Sequence, residues 1–176
     1  MSGKFVKSFF LFALMFLSAI CVAAQENCDL TNKNLLGVNL KMSNAQVKTV
    51  LGKALKIKNN RKGEYIFFQN YIEKPAPPRL TGVRAVYLRF YDGALYQIEI
   101  FYENRNNSQT IADFVNLQSS YFGLSTSEWQ TKNNVARAVC GEISLAADVI
   151  LNPHIELTDE TILAKVEEIR NKDNKE

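Results

Sequence analysis

Residues 83–103 restrict the fold more than any other stretch of this chain. Val83–Tyr91 and Leu95–Glu103 are two runs rich in β-branched and aromatic residues, joined across Asp92-Gly93, a pair that tolerates the left-handed backbone of a tight turn. They predict an antiparallel hairpin. Register follows from what must be buried. Val86, Leu88 and Phe90 share one face of the first arm, and Tyr96, Ile98, Ile100 and Tyr102 share one face of the second. A two-residue loop would pair even with odd positions and set Leu88 beside Gln97, whereas an odd-length loop gathers the apolar sets on a single face. A three-residue loop, Tyr91-Asp92-Gly93, with Gly93 left-handed, is therefore expected. The opposite face then holds Ala85, Tyr87, Arg89, Tyr91, Leu95, Gln97, Glu99 and Phe101. It is too polar for a core and too aromatic for an indifferent surface.

Around this hairpin the punctuation is helical. Ser43 and Gln46 form a capping box with Met42 and Val47 as its staple, and Val47, Val50 and Leu51 make an apolar stripe that Gly52 stops. A helix over 44–51 is expected. Lys53, Lys56, Lys58, Arg61 and Lys62 around Asn59-Asn60 read as a solvated loop, and Glu64–Tyr71 as a strand. Pro75–Pro78, between Lys74 and Arg79, reads as a stiff connection. Ser108 is expected to cap a second helix with Ile111, Phe114, Val115, Tyr121 and Phe122 on one stripe, Gly123 closing it and Trp129 packing against it. Val135–Cys140, Glu142–Leu151 and His154–Leu157 read as strands. Thr158 then caps a last helix, 158–171, with Ile162, Val166 and Ile169 inward. The expected class is α+β: a tandem α-βββ repeat (half-repeats of about 35–105 and 106–157), giving an antiparallel sheet with helices packed on one face, plus the C-terminal helix.

The N-terminus sets the compartment. Lys4 and Lys7 precede an apolar run, Phe9–Ile20, and Val22-Ala23-Ala24 supplies small residues for cleavage before Gln25. The run is shorter than the ~20 residues needed to span a bilayer. Residues 1–24 are thus expected to be a cleaved signal peptide and 25–176 a single periplasmic or secreted domain, with no transmembrane segment in the mature chain. Ile20 is too bulky to precede a lipidated Cys21. Losing Lys4 and Lys7 takes the formal charge from +3 to +1, which argues against nucleic-acid binding. Cys28 and Cys140 are expected to pair, closing most of the chain into a loop and stabilising it by ~4–5 kcal/mol in the chain-entropy model.

Catalytic players are scarce. His154, the only histidine, follows Asn152-Pro153 and reads as a strand-end residue. One histidine and two bonded cysteines do not make a typical transition-metal site, and no nucleophile elbow, phosphate-binding loop or dinucleotide fingerprint is present. No metal, cofactor or catalytic residue is expected. Glu167-Glu168 are adjacent on a helix and diverge. Glycoside-type chemistry would need distant carboxylates to meet in space.

Leu36-Gly37-Val38, Met42-Ser43-Asn44-Ala45-Gln46-Val47 and Leu51-Gly52 resemble the opening of small envelope proteins. These include the small lipoprotein of the outer-membrane β-barrel assembly machinery, and the tandem α-βββ fold of β-lactamase inhibitor protein is similar. Phe90-Tyr91-Asp92-Gly93 extends the resemblance. The mature chain also resembles uncharacterised exported bacterial proteins with Tyr121-Phe122-Gly123-Leu124, a tryptophan (Trp129) and a late cysteine (Cys140) in this order. It departs from the lipoproteins in lacking a lipidated cysteine, and from the inhibitor in joining the N-terminal arm to the second repeat. The resemblance implies a fold and transfers no functional residue.

The functional expectation is a non-catalytic binding module for an envelope or secreted protein. Its candidate face is Tyr87, Arg89, Tyr91, Glu99 and Phe101, residue types of which several are enriched at interface hot spots. Two alternatives stand beside it. The face is covered by the C-terminal helix or by residues 25–40, or the chain is a small-ligand carrier or hydrolase-type enzyme using a cleft between the half-repeats.

Overall fold

The computed structural model describes residues 28–51, 56–59, 64–70, 81–103, 110–150 and 152–173. The expected leader at 1–24, Gly52, the 74–79 segment and Ser108 lie outside the described residues. A short ribbon, β1 (Asn34–Leu35) and β2 (Val38–Asn39), leads into helix α1 (Asn44–Leu51). Strands β3 (Lys56–Asn59), β4 (Glu64–Asn70), β5 (Val83–Tyr91) and β6 (Ala94–Tyr102) follow. Helix α2 (Ile111–Phe122) and a 3-10 turn at Thr126–Glu128 precede β7 (Gln130–Lys132), β8 (Val135–Cys140), β9 (Ile143–Asp148), β10 (His154–Asp159) and helix α3 (Glu160–Asp173). The eight strands β3–β10 form one antiparallel sheet in the order β3-β4-β5-β6-β10-β9-β8-β7.

The class is α+β, as expected, but α1 and α2 are each followed by four strands rather than three. The additional ones, β3 and β7, are the two edges of the sheet. Lys56-Ile57-Lys58 and Gln130-Thr131-Lys132 are short and polar, which hides a strand from pattern reading and suits an edge that must not recruit another chain. Lys56 and Lys58 therefore belong to an edge strand, not to a solvated loop.

The central hairpin keeps the expected register by a different device. Leu88 lies opposite Ile98 and Val86 opposite Ile100, even with even. The loop, however, has two residues: Asp92 (φ 49°) and Gly93 (φ 76°) are both left-handed, and Tyr91 lies opposite Ala94. Parity is restored by a bulge. Phe90 pairs with Leu95 and Arg89 with Gln97, so Tyr96 is an extra residue on β6. A turn with two left-handed residues matches the twist of the flanking strands, and one bulge costs less than burying Gln97 and Glu99 in place of Ile98 and Ile100. The bulge exchanges two side chains. Leu95, expected on the outer face, joins the main core. Tyr96, expected inside that core, is 1 % exposed yet lies outside the main cluster.

The main core sits on one side of the sheet. Leu88, Phe90, Ile98 and Ile100 meet Leu145, Ala147, Ile155 and Leu157, and the layer above is Leu30, Leu35, Val38 and Leu40 of the N-terminal arm, Val47 of α1, Phe114 and Phe122 of α2, and Trp129. Helix α1 has the expected capping box: the Ser43 amide donates to Gln46 Oε1 (2.8 Å) and the Gln46 amide to Ser43 Oγ (3.3 Å). Helix α2 is capped by Thr110 and Asp113, not by Ser108, and ends on Gly123 (φ 65°). Tyr121 departs from the predicted stripe. It is exposed, one position off the 114–118–122 row, and its hydroxyl donates to the Asn34 carbonyl (3.4 Å). Cys28 and Cys140 are joined, Cα atoms 5.3 Å apart, tying the arm to the end of β8.

The cap of helix α3 lies one residue later than expected, and the helix runs from Glu160. Asp159 Oδ1 accepts from the Ile162 amide (3.1 Å), while Thr158 is fully buried in β10. The helix packs on β6 and β10. Its first residue, Glu160, pairs with Arg137 (2.6 Å) and accepts from the Ser144 hydroxyl, both on the sheet side opposite the main core. Val166 is buried, with Ile162 and Ile169 half-buried.

Candidate functional site

Antiparallel pairing arranges the second side of the sheet in cross-strand rows. One runs Tyr87, Glu99, Glu156, Ala146, Arg137 across β5, β6, β10, β9 and β8. The row nearer the hairpin turn is Arg89, Gln97, Thr158, Ser144; the row farther from it is Ala85, Phe101, His154, Asp148. Side chains directly opposite on adjacent strands stand about 4.5–5.5 Å apart at Cβ and interact as pairs. Register alone thus brings Tyr87, Arg89, Glu99 and Phe101 together, with Tyr91 at the turn end of the same face.

All five expected residues are half-buried. The Tyr87 and Phe101 rings meet edge to face (5.5 Å between centroids), and Phe101 stacks on His154 (4.8 Å). Arg89 forms an ion pair with Glu99 (3.7 Å) and donates to the Gln97 side-chain oxygen. From there a relay of hydrogen bonds crosses the sheet. Gln97 Nε2 donates to Thr158 Oγ1 (3.1 Å), and the Thr158 hydroxyl donates to Glu156 Oε1 (3.0 Å). The Glu99 side chain is only 14 % exposed. Burial pushes its carboxyl above the ordinary range; Arg89 opposes this, Glu156 adds to it, and His154 opposes it.

Among the described residues, cover differs from row to row. Gln97 and Thr158 are buried, on the strands against which α3 packs. Tyr87, Glu99 and Phe101 remain partly open. Residues 30–40 do not cover this face, because their apolar side chains belong to the main core on the other side.

Four participants escaped the sequence reading: Gln97 as a linking group, Thr158, Glu156 and His154. The alternation of His154, Glu156 and Thr158 with Ile155 and Leu157 marks them as one polar face. Nothing local says that this strand lies beside β6. His154 opens β10, as expected of a strand-end residue, and there stacks on Phe101 near Glu99. Among the described residues no three His, Cys, Asp or Glu side chains gather as a metal-binding group, and no described helix is long and apolar enough to cross a membrane. Comparison with known proteins finds no matching family model, no matching curated protein and no matching solved structure.

Proposed function

We propose that this chain is an exported, non-catalytic protein-binding module that grips an envelope or secreted partner through Tyr87, Arg89, Tyr91, Glu99 and Phe101. The observation that carries this reading is the partly open strip of Tyr87, Glu99 and Phe101 beside the buried Gln97–Thr158 row on the strands against which α3 packs. Aromatic rings flanking a partly desolvated ion pair, rimmed by polar residues, are the composition of an interface hot spot. Export rests on the Lys4–Ala24 leader and its cleavage motif.

The two halves read as copies of one unit, α1 with β3–β6 and α2 with β7–β10, in keeping with the resemblance to tandem-repeat envelope proteins. The sheet order supports this, since β6 and β10 meet at the centre and both halves run outward from them in the same sequence. A hydrolase-type reading has one observation in its favour, the placing of Glu99 opposite Glu156 where the halves join. Its distinguishing outcome is turnover of a chromogenic glycoside that Glu99→Gln abolishes.

The binding reading is tested with the triple variant Tyr87→Ala, Tyr91→Ala, Phe101→Ala. Immobilised wild-type protein is expected to retain a partner from an envelope extract, and the variant to lose it while keeping the wild-type circular dichroism and a cooperative urea transition. Collapse of the variant's fold would show that the strip is core, and unchanged capture would place recognition elsewhere.

A further inference from the structure

We propose that this face is a charge switch set by one proton on Glu99. Glu99, held opposite Glu156 on the neighbouring strand and paired with Arg89, takes up a proton on acidification, and Arg89 then loses its ion pair. The inference rests on the binding reading only in calling the face a recognition surface; the switch itself needs no partner.

The geometry makes double ionisation unfavourable. Like charges directly opposite on neighbouring strands repel, and Glu99 is largely withdrawn from the water that would screen it. Ionising Glu99 out of water and beside Glu156 is therefore opposed, and the cation that offsets this is Arg89. The direction found for Glu99, raised first by burial and further by Glu156, agrees with this.

The surroundings are defined on each side. From β5 come Tyr87 and Arg89; from β10 come His154 and Glu156, with Asp148 of β9 opposite His154. In β4 the residues opposite Tyr87 and Arg89 are Phe68 and Ile66. From α3, Glu160 is committed to Arg137 and Ser144, and Glu168 to Lys172 (2.6 Å); Lys165, Glu167 and Arg170 are exposed.

With both carboxylates ionised, Arg89, Glu99 and Glu156 together carry one net negative charge, and uptake of one proton by Glu99 brings the three to zero. Arg89 is then held by Gln97, whose amide is fixed by Thr158, so the guanidinium becomes available to an acidic group on a partner. A face selective for cationic contacts at neutral pH becomes one that accepts anionic contacts in acid.

The test is a carboxyl-carbon NMR titration of the folded protein as wild type, Glu156→Gln and Arg89→Gln. The Glu99 midpoint is expected above the ordinary value of 4.5 in the wild type. It should fall in Glu156→Gln and rise in Arg89→Gln. A wild-type Glu99 midpoint at or below 4.5, or one that Glu156→Gln leaves in place, would overturn the switch. Because no partner takes part, that result would leave the binding reading standing, and failure of the triple alanine variant would leave the titration standing.

Discussion

Thr158 shows how one hydroxyl can organise a face. It is fully buried, accepts from Gln97 and donates to Glu156, so a donor and an acceptor on different strands both depend on it. Removing it leaves the Gln97 amide, itself only 4 % exposed, without that acceptor in a place where water is scarce. Thr158→Val keeps the shape and removes only the hydrogen bonds. It is expected to cost about 1–3 kcal/mol in urea denaturation, the penalty for a buried polar group deprived of its partner. A change near zero would mean that water replaces the hydroxyl, and that the relay from Arg89 to Glu156 is not continuous. The same residue explains a misread boundary. Thr158 and Asp159 are both good helix-capping types, and the sequence reading places the cap on Thr158. Asp159 caps α3 because Thr158 is already committed inside the sheet.

At the scale of the element, the hairpin was legible because its signal is local: alternation fixed which residues must face each other. Parity was legible too. The device that achieves it was not, since a three-residue loop and a two-residue loop with a bulge give the same pairing of Leu88 with Ile98. Turn chemistry decided for the latter at Asp92-Gly93. Edge strands β3 and β7 were hidden by their brevity and polarity. The β6–β10 pairing was hidden by distance, with α2 and three strands intervening. Every residue the site reading missed lies along that pairing. The bulge offers a direct check. Deleting Tyr96 leaves Tyr91 opposite Ala94, Phe90 opposite Leu95 and Arg89 opposite Gln97 by regular pairing, so the register of β5 and β6 should survive. Cross-strand contacts between Leu88 and Ile98 are expected to persist by NMR, with stability lower by about 3–5 kcal/mol for the lost buried aromatic. A one-residue slip of β6 would show instead that Tyr96 is what pins the register.

Across the whole molecule, the N-terminal arm joins what the sheet order keeps apart. At one end Lys41 donates to the Leu95 carbonyl (2.7 Å) and Leu95 to the Met42 carbonyl (2.9 Å), fixing the arm to β6; at the other, Cys28 is bonded to Cys140 of β8. Between them Leu30, Leu35, Val38 and Leu40 are buried in the main core. The arm is thus held twice, by burial and by the bond, and the two act on different states. Burial holds it in the native fold, whereas a link between residues 112 positions apart chiefly restricts the unfolded chain. Replacing both cysteines by serine is expected to lower stability by ~4–5 kcal/mol in the chain-entropy model while unfolding stays a single transition. Amides of residues 30–40 should then lose hydrogen-exchange protection only in step with the central strands, because their local burial is unchanged. Selective loss of protection in the arm, with β6, β9 and β10 still protected, would reverse the assignment: the bond, rather than the four buried side chains, would be what keeps the arm on the core.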